Sequence, residues 1–215
     1  MLDDGIRVLC RFFSTSRDCT GVKLRLTDYR KKSKSLAARI FYGKKAEKLD
    51  LYKSLIPLAK KVVKQSDRAI EQVQGNCEDE NLSLPWVGQV MHYRQLLERV
   101  IDQAERRVLY GEAVPATDKV FSLFEPHTDI IIKGPRDIEY GHKINLATDK
   151  SGMITSLMIE NGNPCDAERF VPIIEKHQEL YDCVPETTIA DGGYASRSNI
   201  DSGKGLGIKR VAFHK

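Results

Sequence analysis

The sequence predicts an α/β chain whose first half is helical and whose second half interleaves strands with helices. Three observations predict it. Apolar residues recur at helical spacing through the first 110 or so residues, β-branched and alternating runs take over after Pro115, and polar helix-opening residues then separate those runs. The expected division is a basic, mainly helical region over residues 1–115 and a mixed region over residues 116–215.

In the first half, Ile6 to Phe13 is a short apolar run and Lys34 to Leu49 reads as a basic helix. Leu51, Leu55, Leu58, Val62 and Val63 continue at helical spacing up to Val73, with Pro57 expected to kink or restart the helix because it has no amide hydrogen to donate. Gly75 to Pro85 is polar and acidic and predicts a loop. Trp86 to Tyr110 has the clearest two-faced pattern, with Val90, Leu97, Ile101, Ala104 and Val108 on one stripe and charged residues such as Arg94 and Glu98 opposite. Gly111 and Pro115 end it. Alone, this half also reads as a helical bundle or coiled-coil pair without chemistry of its own.

In the second half, Ile130-Ile131-Ile132 forms the centre of a strand from Asp129 to Lys133, closed by Gly134-Pro135. Tyr140 to Thr148 and Met153 to Glu160 alternate as strands around Asp149-Lys150-Ser151-Gly152 and predict an antiparallel hairpin. Asn163-Pro164-Cys165-Asp166 opens a helix running to about Leu180, and a strand over Thr187 to Asp191 follows. A short helix around Ser198 to Gly203 and a last strand from Ile208 to Phe213 complete the order.

Composition limits the function classes. The chain is 41% hydrophobic and 30% charged over 215 residues, which is ordinary globular composition. No uninterrupted apolar run approaches the ~18 residues of a membrane span, and Met1-Leu2-Asp3-Asp4-Gly5 has no basic then apolar leader pattern, so a soluble, cytoplasmic protein away from the membrane is expected. Five widely spaced cysteines with no C-x-x-C pair fit reduced thiols rather than a zinc site, and the five histidines are equally scattered.

The net charge of +4 is unevenly spread: between Arg17 and Arg68, 16 Lys and Arg stand against 5 Asp and Glu, a local excess of 11. Its densest parts are Arg30, Lys31, Lys32 and Lys34, then Lys44 and Lys45. Such a segment fits a polyanion such as DNA, or a solvated lysine-rich helix face.

Asp191 is the candidate centre. It ends Thr187-Thr188-Ile189-Ala190 and precedes Gly192-Gly193-Tyr194, so one carboxylate stands at the carboxyl end of a strand beside glycines that allow close approach. A strand that ends in an Asp opening a turn is the plainer alternative. Lys143 and Arg197 flank it and suit phosphate contacts or an ordinary basic surface. Ser202-Gly203-Lys204-Gly205-Leu206-Gly207 is no phosphate loop, since it ends a helix and precedes a strand.

The element order resembles an RNase H-like α/β unit without its first strand and last helix. The blocks Ser122-Leu-Phe-Glu-Pro-His-Thr-Asp129, Tyr140-Gly-His-Lys-Ile-Asn-Leu-Ala147, Glu160-Asn-Gly-Asn-Pro-Cys-Asp166, Ala190-Asp-Gly-Gly-Tyr-Ala-Ser196 and Val211-Ala-Phe-His-Lys215, with Asp4-Gly-Ile-Arg-Val-Leu9, make the likeness specific. In that spacing they resemble the DDE transposases of bacterial insertion sequences, among them the group described as not yet classified. The resemblance implies an incomplete RNase H-like catalytic domain (strand-strand-strand-helix-strand-helix-strand) preceded by a helical insertion. It also implies binding to the inverted-repeat DNA ends of the element, and pairing with itself or with an intact transposase.

Asp191 corresponds to the second of three acids that hold two Mg²⁺ ions, whose hard charge prefers carboxylate oxygens. The first and third acids are expected before Met1 and after Lys215, with Asp129 weighed as a substitute metal ligand. Alone, the chain is expected to be a catalytically silent fragment. A non-catalytic DNA-binding or transposase-pairing module that inhibits an intact transposase is the alternative.

Overall fold

The structure, a computed structural model, describes residues 1–133 and 137–214; Gly134 and Pro135, read above as the stop of a strand, lie outside the described residues, as does Lys215. The chain divides into two compact units, Met1–His127 and Thr128–Lys215. The segment from Ala116 to His127 thus falls with the first unit rather than with the second. Val120 and Leu123 are buried in the first unit's core, and the Val120 amide donates to Gln103 Oε1 at 2.9 Å.

The first unit is built from four helices: α1 (Leu2–Thr20), α2 (Arg30–Tyr42), α3 (Lys45–Asn76) and α4 (Glu80–Ala104), with one π turn at Glu105–Leu109. In α1 the expected apolar run extends both ways, because Leu2, Ile6, Leu9, Cys10 and Phe13 recur on one face. The basic helix expected over Lys34 to Leu49 is in fact two helices. Gly43 breaks it: an added Cβ there would lie 2.2 Å from the Arg39 carbonyl oxygen, so only glycine admits this turn.

Pro57, expected to interrupt, lies inside a continuous α3. A proline within a helix costs about 3 kcal/mol, whereas each buried aliphatic side chain contributes about 1.5–3 kcal/mol, and Leu55, Ile56, Leu58 and Val62 are all buried around it. The loop expected over Gly75 to Pro85 shrinks to Cys77–Asp79. Asp79 caps α4 by accepting the Asn81 amide at 2.9 Å, and Trp86, Val87 and Val90 bury the turns that follow. Helices α1, α3 and α4 pack on one another and α2 packs on α1 and α3, around fully buried Ile6, Leu9, Val62, Val90 and Leu97.

The second unit mixes helix and strand. Its strands are β1 (Asp129–Lys133), β2 (Asp137–Gly141), β3 (Ile144–Thr148), β4 (Ile154–Ile159), β5 (Thr187–Ala190) and β6 (Arg210–Phe213), with helices α5 (Phe170–Tyr181) and α6 (Arg197–Gly205). The single strand expected over Tyr140 to Thr148 is split at His142-Lys143, after Gly141 turns the chain with a φ of 152°. The expected hairpin is present: β3 and β4 pair antiparallel, with Leu146 opposite Leu157 and Ile144 opposite Ile159. β1 and β2 form a second antiparallel pair, and β5 and β6 pair in parallel across α6.

These are three two-stranded sheets among the described residues, each strand pairing on one side. Phe170 and Ile174 of α5 pack with Ile208 and Phe213 beneath β5 and β6, the Phe170 and Phe213 rings 5.2 Å apart. All five cysteines are free thiols, as expected. No described helix is long and apolar enough to cross a membrane.

Candidate functional site: the turn after β5

β5 hands its chain to Asp191, whose side chain is exposed and whose Oδ1 accepts the Gly192 amide at 2.6 Å. The Asp191 carbonyl accepts the Tyr194 amide at 3.0 Å and so closes a single 3₁₀ turn over Gly192–Tyr194. Gly193 is dictated by proximity. A Cβ on Gly193 would stand 2.6 Å from Asp166 Oδ2, so the turn lies against that carboxylate with no room for a side chain.

Three elements fix the turn. From β3, Asn145, only 3% exposed, accepts the Tyr194 hydroxyl through Oδ1 and donates through Nδ2 to Glu160 Oε1 at 2.8 Å. From α6, buried Asn199 donates to the carbonyls of Tyr194 (2.8 Å) and Ala167 (2.7 Å), while Ser196 caps the helix by accepting the Asn199 amide at 3.0 Å. From the 3₁₀ turn at Asp166–Arg169, Asp166 touches Gly193. Arg169 Nε lies 3.0 Å from Glu160 Oε1 without hydrogen-bond alignment, a contact of charges only.

Burial, then the carboxylates of Asp166, Asp191 and Glu160, push the Tyr194 phenol above its ordinary range. It therefore stays protonated at neutral pH and remains the donor to Asn145. The result is a rigid turn carrying one exposed carboxylate, with one oxygen held by a backbone amide.

The other expected site residues fare differently. Asp129 Oδ2 accepts the Gly162 amide at 2.6 Å and lies 3.7 Å from His142 Nδ1, so this carboxylate fixes the loop after β4. Lys143, suited by sequence to phosphate contacts or to an ordinary basic surface, has its ammonium 2.6 Å from Asp166 Oδ1 and donates to the Pro164 carbonyl, with the side chain 19% exposed. Arg197 is exposed in the first turn of α6. Lys31, Lys32 and Lys34 are exposed on α2, Lys44 and Lys45 are exposed at its junction with α3, and Arg30 is half-buried and clamps Asp28 through two nitrogens at 2.7–3.0 Å.

Asn145, Glu160, Tyr194 and Asn199 hold the turn, yet no role was read for them in the sequence. The available signal was a polar residue on the inward side of an otherwise apolar strand, as at Asn145.

The donor set can be tested against a divalent cation. Mg²⁺ takes one or two carboxylates plus water and phosphate oxygens. Asp191 fits one such position, but Asp166 and Glu160 are already engaged by cations, and no group of three His, Cys, Asp or Glu suited to a metal exists among the described residues. A two-metal centre is therefore not assembled by these residues alone.

Residues 132–215 match the family model described as transposase DDE domain. No curated protein and no solved structure matches the chain.

Proposed function

We propose, from the transposase DDE domain carried on residues 132–215, that this chain acts in DNA transposition, with Asp191 as a metal-binding carboxylate and the basic helical region as the DNA-gripping part. The observation that carries the reading is the position of Asp191: exposed, at the carboxyl end of β5, on a turn braced from three sides inside the matched segment. A bound Mg²⁺ would supply a Lewis acid at a DNA phosphate. Asp191 would hold it, Gly192 would orient the carboxylate, and Asn145 and Asn199 would keep the turn from yielding.

An RNase H-like reading of the second unit, residues 128–215, is supported by the β3–β4 hairpin, α5 and the parallel β5–β6 pair in that order. The unpaired edges of β3 and β5 border one cavity of about 350 Å³, floored by Phe170, Ile173 and Ile174, and Thr188 Oγ1 is buried there without a hydrogen-bond partner. A further strand between the two would satisfy both edges. The first unit, residues 1–127, is then the helical insertion, the partners are the inverted-repeat ends of an element, and the setting is the cytoplasm.

Alone, the chain is catalytically silent on this reading, because one carboxylate binds Mg²⁺ weakly. Iron(II) with ascorbate, substituted for Mg²⁺, should cut the backbone near Asp191, and Asp191→Asn should abolish that cut. Persistence of the cut in the variant removes Asp191 as a ligand. Strand cleavage of DNA in Mg²⁺ by the purified chain, lost on Asp191→Ala, would overturn the silence.

The open edges favour a second reading, in which the chain pairs with a transposase and inhibits it. Its check is whether the added chain lowers strand transfer by an intact enzyme.

A further inference from the structure

A cavity of about 720 Å³ opens on the first unit between α1 and α2, bounded also by α4 and the segment after it. Its walls carry Arg7 and Arg11 from α1 and Arg30, Lys31 and Lys34 from α2, against a single carboxylate, Asp4. Arg30 is committed to Asp28, and Arg7 lies 3.8 Å from Asp3. Arg11, Lys31 and Lys34 have no carboxylate within ion-pair distance among the described residues, so they leave positive charge facing the cavity.

Aromatic rings share the same walls. Phe12 and Tyr93 stand with ring centroids 5.9 Å apart, and Phe124 is 64% exposed at the cavity. Most of the Phe124 ring is therefore open to a ligand beside these cations. Duplex DNA offers phosphates but keeps its base faces stacked, whereas an unpaired strand offers both phosphates and faces. Basic grooves lined with aromatic rings suit the second, because each ring replaces a lost stacking partner.

The geometry points to this cavity as a binding site for unpaired DNA, with Lys31, Lys34 and Arg11 on phosphates and a base stacked on Phe124. The inference rests on the DNA reading proposed above and adds to it the form of the strand. It assigns Arg11, Phe12, Tyr93 and Phe124 to binding, none of which charge patterning singles out.

The test is fluorescence anisotropy on the full chain with labelled oligodeoxythymidine of about 15 nucleotides and a blunt duplex of equal length. Phe124→Ala should weaken single-strand binding about tenfold and duplex binding less than about twofold, since one stacked base is lost. Phe124→Trp should retain single-strand affinity, which a merely structural role would not predict. Lys31→Gln with Lys34→Gln should weaken both and flatten the salt dependence by about 0.7 per lost phosphate contact on the single strand. Unchanged single-strand binding by Phe124→Ala overturns the site while leaving the DNA reading intact. Failure of both oligonucleotides to bind overturns the two together.

Discussion

Met1–His127 closes on itself, with the apolar faces of α1, α3 and α4 buried against one another, whereas Thr128–Lys215 leaves apolar side chains and backbone edges open. Ile144 and Leu146 on β3, their partners Ile159 and Leu157 on β4, and Ile189 on β5 are all exposed. The buried centre of the second unit is Phe170, Ile174 and Ile208 with a few half-buried neighbours. A helix satisfies its own backbone and needs only one apolar stripe covered, while every strand of a two-stranded sheet keeps one unpaired edge. Two-stranded sheets are marginal without further strands or helices to cover them. The two units therefore differ in how their apolar surface is covered: the first buries its helix faces within itself, and the second leaves strand side chains and edges exposed.

The largest expected effect separates their stabilities. Leu97 is fully buried in α4, and Leu97→Ala should cost about 3 kcal/mol in the first unit. Urea unfolding followed by circular dichroism should show the second unit melting first and unmoved by this change, with only the later transition shifted. A single transition that shifts as a whole would break the comparison, because the two units would then fold as one.

Next in size is the brace of the turn. Asn199→Ala removes two buried hydrogen bonds, worth about 1 kcal/mol each, and should raise amide exchange across the Gly192–Tyr194 turn by more than tenfold while the first unit keeps its protection. Unchanged exchange at these amides would mean that Asn145 and the packing of Asp166 on Gly193 hold the turn without Asn199.

How far the sequence reached follows the same division. Helical spacing announced α1, α3 and α4, because a 3.6-residue stripe is a local signal. It missed the break at Gly43 and the continuity through Pro57, both decided by packing: a carbonyl that would stand 2.2 Å from any added Cβ in one case and neighbouring buried aliphatics in the other. The β3–β4 hairpin was legible from its turn. What the strands pair with was not, since edge pairing is non-local. Asp191 stood out because a strand end and two glycines are contiguous in sequence. Its supports, Asn145 and Asn199, come from 46 residues before and 8 after, and nothing in spacing joins them.

A smaller effect tests the first unit's own cap. Asp79→Ala should cost about 1 kcal/mol by leaving the Asn81 amide without its side-chain acceptor at the start of α4. The shift belongs in the later urea transition; its appearance in the earlier one would assign the transitions the wrong way round.

The smallest effect lies in the β3–β4 turn. Asp149 Oδ1 accepts from the Ser151 hydroxyl (2.6 Å), the Ser151 amide (2.8 Å) and the Met153 amide (3.0 Å). These bonds, the Ser151 hydroxyl foremost, hold its carboxyl below the ordinary carboxylate range. A carboxylate with a depressed folded pKa contributes stability that is fully present above its unfolded value, near ~4, and is lost as pH falls through the folded value. The Ser151 and Met153 amide resonances should therefore move only as pH falls below the ordinary carboxylate range, and Asp149→Asn should remove that movement. Because this carboxyl is open to solvent, the change stays within the hairpin and leaves the first unit's unfolding untouched. A pH-dependent shift of the later transition that Asp149→Asn abolished would instead couple the two units through this turn.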